Sequence, residues 1–262
     1  MSVVTLDGEI LHYEVLGRGR PLIFLHGWVG SWRYWVPTMQ AASMGYRAYA
    51  LDMWGFGESA KRISKYSLEN QVAMLDQFMD QLGIAKIALI GHGLGALVAL
   101  SFAARFPRMV DRLMVSSLPV GTGMVNGRLR TSSLPDLADW MLGRLPGTES
   151  ARSEAPKTDP QAVLASLDSL QTINTLDLVQ GIVTPCLMVF GQNDLVVQAP
   201  GQDVLGGLPE QFHSIFFDQA GHFPMLDDPN KFNRLLNDFL ALASGESPRQ
   251  LQLKEEWKRR VR

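Results

Sequence analysis

Eighteen consecutive residues, Ile87 to Ala104, contain no Asp, Glu, Lys or Arg. An uncharged run of that length is either about a bilayer span or two elements buried in a globular core. Gly91, His92, Gly93 and Gly95 interrupt it. The first half is short and β-prone and the second has helical spacing, so the run reads as a buried strand, a tight turn and a buried helix. A strand and a helix that both lack a polar face belong to a sheet covered on both sides, which points to an α/β fold with a mostly parallel sheet.

The rest of the chain fits that layout. Val3 to Leu6, the pair Asp7-Gly8 and Glu9 to Val15 read as a hairpin, because Asp-Gly supplies the positive φ values of a two-residue turn. Short apolar strands follow at Pro21–Leu25, Arg47–Leu51, Ile87–Ile90, Arg112–Ser116, Cys186–Phe190 and Ser214–Phe217. Between Leu68 and Leu82, the residues Val72, Leu75, Phe78, Met79 and Leu82 recur at three- and four-residue intervals, which predicts a one-sided helix. From Pro119 to Thr184 the alternation stops. Helices are expected there near 136–145 and 160–173, within an insertion over the sheet edge. The expected organisation is a core of residues 1–118 and 182–245, a cap at 119–181 and a basic tail at 246–262.

Composition narrows the function classes. The chain has 262 residues, 46% hydrophobic and 19% charged, with a formal charge of −2. That is one ordinary globular domain or two small ones, without the field that would capture nucleic acid or an anionic membrane. A small apolar molecule is the expected partner. One cysteine, Cys186, and five histidines without an H-x-x-x-H pair give no metal-ligand pattern, so neither metal nor cofactor is expected. Residues 1–7 carry neither a basic leader nor an apolar run, which gives the expectation of a cytoplasmic protein without a transmembrane segment. The stretch 249–262 has six basic and two acidic residues, a net +4 against −6 for the remainder, with Leu253, Trp257 and Val261 every four residues. Docking on the chain's own acidic body, or plain solvation, is the simpler expectation for it. A protein partner or a membrane surface is the alternative.

Gly91-His92-Gly93-Leu94-Gly95 lies between strand and helix, the setting required of a nucleophile elbow G-x-S-x-G, but with glycine in the third position. Leu25-His26-Gly27-Trp28 follows the third strand, Asp52-Met53-Trp54-Gly55-Phe56-Gly57-Glu58-Ser59 the fourth, Gly191-Gln192-Asn193-Asp194 the seventh and Gly221-His222-Phe223-Pro224 the eighth. In this order the motifs resemble those of the α/β-hydrolase superfamily over nearly the whole chain. The resemblance implies a mainly parallel eight-stranded sheet with helices on both faces and a small helical cap. It also implies an oxyanion loop at His26-Gly27-Trp28, an acid at Asp194 and a base at His222. A histidine titrating near neutrality accepts a proton, and a carboxylate on its other nitrogen fixes the tautomer. The backbone N–H groups of Trp28 and Leu94 are the expected oxyanion donors, the latter at a helix start where unpaired donors and the dipole converge.

Glycine at position 93 closes the serine acyl-enzyme route and also the aspartyl-ester route. Three explanations are open. Glycine relieves the strained angles of an elbow in a protein that only binds its ligand. Alternatively it leaves room beside His222 for a water or ligand oxygen that the His222–Asp194 dyad deprotonates, in hydrolysis, carbon–carbon cleavage or cofactor-free oxygenation. Or a serine was replaced deliberately to silence a hydrolase. His26, Gly27 and Trp54 are the expected substrate contacts, although a loop-anchoring role suits His26 better. Trp32, Tyr34, Trp35 and Phe56 either wall the pocket or pack loops on the sheet. His92 is expected to face away from the cavity, and His12 and His213 to be ordinary strand residues. Cys186 reads as core, and Ser116 and Ser117 are minor candidates for a substitute nucleophile.

Overall fold

The computed structural model describes residues 2–143 and 147–251. Eight strands form one sheet: β1 Ser2–Leu6, β2 Glu9–Leu16, β3 Arg20–Leu25, β4 Tyr46–Leu51, β5 Ile87–His92, β6 Val110–Ser116, β7 Cys186–Gly191 and β8 Phe212–Phe217. Their order is β1-β2-β4-β3-β5-β6-β7-β8. β1 and β2 pair antiparallel with each other, and β2 antiparallel with β4; every later pairing is parallel. Asp7 and Gly8 join β1 to β2 with φ of 50° and 79°, the positive values the hairpin requires.

The uncharged run folds as its sequence predicts, with β5 buried throughout and nine of the twelve residues of the helix Leu94–Arg105 buried after it. No helix among the described residues is long and apolar enough to cross a membrane. Helix Leu68–Gln81 buries Val72, Leu75, Phe78 and Met79. It belongs to an apolar layer on one sheet face that also holds Trp28, Trp54, Leu94 and Leu97. The other face holds Phe24, Tyr34, Trp35 and the inward stripe Phe232, Leu235, Leu236 and Phe239 of helix Pro229–Ala241. Tyr34 and Trp35 therefore pack the loop after β3 onto the sheet.

Between β6 and β7 the chain forms short helices, including Leu134–Leu142, Glu149–Glu154, Pro160–Thr172 and Thr175–Gly181. Ser133 caps the first of these through the Asp136 N–H, and Asp159 caps Pro160–Thr172 through that of Gln161. The expected helix 136–145 thus starts two residues earlier, after its cap, and ends at Leu142, where Gly143 turns the chain with a φ of 58°; positions 144 and 145 lie outside the described residues. The region is fastened to the loops after β3 and β4. Arg33 pairs with Glu154 at 2.6 Å, Tyr66 donates to Asp159 at 2.7 Å, and the Asp159 N–H donates to the Gly55 carbonyl at 2.7 Å. Of the basic tail, Leu253, Trp257 and Val261 lie outside the described residues. Arg249 donates to the carbonyls of Leu208, Pro209 and Phe212.

Candidate active site

The parallel strands end on one side of the sheet, and the loops leaving β3, β4, β5, β7 and β8 there carry the residues singled out by the sequence. β5 runs directly into Gly93, whose φ of +53° and ψ of −110° reverse the chain into the following helix. Close packing allows so sharp a turn: a Cβ on Gly95 would lie 2.4 Å from the Leu25 carbonyl oxygen. The Gly93 N–H donates to Ser116 O and the Gly95 N–H to His26 O, both at 2.9 Å, so the turn is held between the ends of β6 and β3.

Asp194 and His222 meet beside it. The Asp194 oxygens lie 2.9 and 3.1 Å from His222 Nδ1, and Oδ1 also accepts from the N–H groups of Val196 and Val197 at 2.8 and 3.0 Å. Burial pushes the Asp194 carboxyl up, but the His222 imidazole and these backbone donors outweigh it and hold the pKa at about 2. An ionised carboxylate only accepts, so Nδ1 carries the hydrogen, and in the neutral ring Nε2 has the lone pair. That Nε2 is buried and has no hydrogen-bond partner among the described residues.

Trp28 joins Gly93 to the dyad. Its ring lies 6.4 Å from the His222 ring at an interplanar angle of 22°, and a Cβ placed on Gly93 would stand 3.1 and 3.2 Å from two of its carbons. Its Nε1–H donates to Ser166 Oγ in helix Pro160–Thr172 at 2.9 Å. Gly93, Asp194, His222 and Trp28 thus form one cluster, shut off from solvent in this conformation, since Trp28, Leu94 and His222 are all buried. The backbone N–H groups of Trp28 and Leu94 make no hydrogen bond among the described residues. Trp54 is buried in the same apolar layer, its peptide groups bracketed by the side-chain amide of Gln71.

Several expectations change. His26 anchors loops: Nδ1–H donates to Gly27 O at 2.8 Å and Nε2 accepts from the Met53 N–H at 3.0 Å, leaving no ring nitrogen for a substrate. His92, expected to face away, lies against His222, with ring centroids 4.6 Å apart. Burial and the neighbouring His222 hold its pKa well below the usual histidine value. His12 is no ordinary strand residue, since it pairs with Asp52 at 2.8 Å. His213, half buried in β8, has its Nε2 3.0 Å from the Leu251 carbonyl. Ser117 donates to the His222 carbonyl rather than to its ring, and Ser116 Oγ is buried without a partner among the described residues. Neither serine is arranged as a nucleophile.

Tyr34 and Ser166 are site residues that the sequence does not announce. Tyr34 is one aromatic among many in its loop, and Ser166 stands in a helix with no motif. The described residues contain no group of three or more His, Cys, Asp or Glu placed to hold a metal ion.

A family model described as "alpha/beta hydrolase fold" matches residues 20–154. A pimeloyl-[acyl-carrier protein] methyl ester esterase of Vibrio cholerae is 27% identical over 87% of this chain and 97% of its own length. Two solved structures share the fold. A serine-to-glycine mutant of the N-acyl homoserine lactonase AidH, complexed with N-hexanoyl homoserine lactone, superposes with a TM-score of 0.81 at 23% identity, over 91% of this chain and 96% of that one. The enol-lactonase of Burkholderia xenovorans LB400 gives 0.80 at 20% identity, over 92% and 100%.

Proposed function

The chain belongs to the alpha/beta hydrolase fold family, and from that premise we propose that it hydrolyses a small, uncharged ester- or lactone-type substrate, with the His222–Asp194 dyad acting on water directly. His222 Nε2 takes a proton from water as its oxygen attacks the carbonyl carbon. Asp194 stabilises the imidazolium, and the Trp28 and Leu94 N–H groups receive the charge on the tetrahedral oxygen. Return of the proton to the leaving oxygen yields acid and alcohol, with no covalent enzyme intermediate. The apolar surroundings of Trp28, Trp54 and Leu94 suit an uncharged acyl group. Entry requires helix Pro160–Thr172 to shift, because Ser166 ties it to Trp28.

The observation that carries this reading is the buried, unpaired Nε2 of His222 on an intact dyad. Leaving a buried acceptor unmade costs about 1–3 kcal/mol, and uptake of a proton gives that cost a use. One observation favours a second reading, in which the protein binds its ligand without turnover: the Trp28 ring crowds the place of a residue-93 side chain, 3.1 Å from a Cβ there. A screen of small esters, thioesters and lactones separates the two. Steady turnover that disappears in His222→Ala supports the first, and activity unchanged in that variant overturns it. A tight ligand recovered chemically intact supports the second.

A further inference from the structure

Tyr34 and His92 lie beneath the dyad, outside the roles given so far, and their hydrogen bonds have only one consistent direction. His92 Nε2 is 2.8 Å from the backbone carbonyl of His222. A carbonyl only accepts, so Nε2 carries the hydrogen. With His92 neutral, Nδ1 is an acceptor, and the Tyr34 hydroxyl at 2.9 Å donates to it. The same hydroxyl accepts the Gly27 N–H at 2.6 Å. The resulting chain is Gly27 N–H to Tyr34 O–H to His92 Nδ1, then His92 Nε2–H to His222 O. Each side-chain donor and acceptor in it has a partner, the His222 carbonyl also accepting from the Ser117 hydroxyl at 3.2 Å, and both side chains are buried. The peptide that follows, between Gly27 and Trp28, is held at its carbonyl by His26 Nδ1–H, and its N–H is the proposed oxyanion donor. Polarising a peptide at its carbonyl strengthens its N–H as a donor. Gly27 is small for a steric reason, since a Cβ there would lie 2.8 Å from His92 Nδ1.

We propose that Tyr34 and His92 are positioning residues which hold the oxyanion loop, through Gly27, in register with the general base, through the His222 carbonyl. The assignment of a catalytic purpose rests on the hydrolytic reading above; the relay itself does not. A displacement of about 1 Å at a reacting group costs up to roughly 100-fold in rate, so the relay acts on kcat more than on substrate affinity.

The test uses the full chain and two kinds of readout. Nitrogen-15 NMR of the histidine rings reports the relay without substrate. His92 is expected to remain the neutral Nε2–H tautomer from pH 5 to 9, facing Tyr34, His222 and His26 with Asp194 beyond. The His222 ring signals are expected to move in Tyr34→Phe and His92→Leu but not in His92→Gln, whose amide supplies one donor and one acceptor. On the ester or lactone found by the screen, Tyr34→Phe and His92→Leu should lower kcat about 10- to 100-fold with KM within about twofold, and His92→Gln should recover most of the loss. A His92 ring that titrates in this range, or carries its hydrogen on Nδ1, overturns the relay whether or not the protein turns over. A relay seen by NMR with kcat unchanged in folded Tyr34→Phe overturns the positioning role. Wild type without turnover sinks the hydrolytic reading and leaves the ring signals to decide whether Tyr34 and His92 orient His222.

Discussion

Among the described residues two histidine–aspartate pairs are buried and look alike at the bond between ring and carboxylate. His12 Nδ1 lies 2.8 Å from Asp52, and His222 Nδ1 lies 2.9 Å from Asp194. Beyond that bond they diverge. Asp52 also accepts the N–H groups of Trp32 and Glu58, and its backbone carbonyl accepts the Ser59 hydroxyl, which in turn accepts the His12 N–H. It stitches β2, the loop after β3 and the loop after β4 together. The far nitrogen of His12 points toward the Glu14 carboxylate at 3.5 Å. The far nitrogen of His222 meets no acceptor among the described residues and sits in the cluster with Gly93 and Trp28. A short bond between imidazole and carboxylate therefore does not mark a base; what the other nitrogen faces does.

Removing each pair in turn should have the largest effects. His222→Ala and Asp194→Asn should each lower turnover by about 10²- to 10⁴-fold while leaving a folded protein, as steady-state rates and a thermal melt would show. Asp52→Ala should do the reverse, costing about 3–5 kcal/mol in urea unfolding, because it strands a buried imidazole and two N–H donors. If the Asp194 variant proves the less stable of the two, the division of labour is wrong.

Gly93→Ser sharpens the contrast at smaller cost. A non-glycine residue at φ of +53° and a Cβ against Trp28 should destabilise the chain by about 1–3 kcal/mol, measurable by denaturant titration. The same variant should gain weak esterase activity and labelling by a fluorophosphonate, more readily when Trp28→Leu makes room. A folded double variant inert to both would favour ligand binding over an inherited hydrolase site.

The smallest effect is one of pH. Burial lowers the His12 pKa, but Asp52 and Glu14 outweigh it and leave the value raised. A raised folded value contributes stability that is fully present below the ordinary histidine pKa of 6.5 and lost as pH rises through the folded value. Asp194 has the opposite sign, its contribution being full above 3.8 and lost as pH falls toward about 2. His12→Gln should flatten the stability profile above pH 6.5 and also weaken the part of the acid limb that belongs to Asp52, whose carboxyl the His12 hydrogen bond helps hold down against burial; a profile unchanged above pH 6.5 would overturn this account.

What could be read in the sequence follows from how locally each feature is encoded. The buried strands show as apolar runs, and the glycines at 91, 93 and 95 announce a turn, a Cβ at 91 or 95 falling within 2.4 Å of a backbone oxygen and one at 93 meeting a positive φ. His222 and Asp194 stand directly after strands, so their position is legible from the strands themselves. The Tyr34–His92 bond and the tether from Trp28 to Ser166 have no local signature, because each joins a side chain to a partner 58 or 138 residues away. The short helices 149–154 and 175–181 escaped for a related reason: at six and seven residues they are too short to show a period and persist through packing.

Those same long-range bonds set a timetable. Trp28 and Ser166 are 138 residues apart, His92 and His222 130, and Ser117 and His222 105. Contacts of such separation form late, because the loops they close must first be organised. During synthesis the chain completes the Gly93 turn well before residue 222 has been added, so the elbow waits for its base. In refolding, the sheet's circular dichroism should be regained ahead of the burial of Trp28.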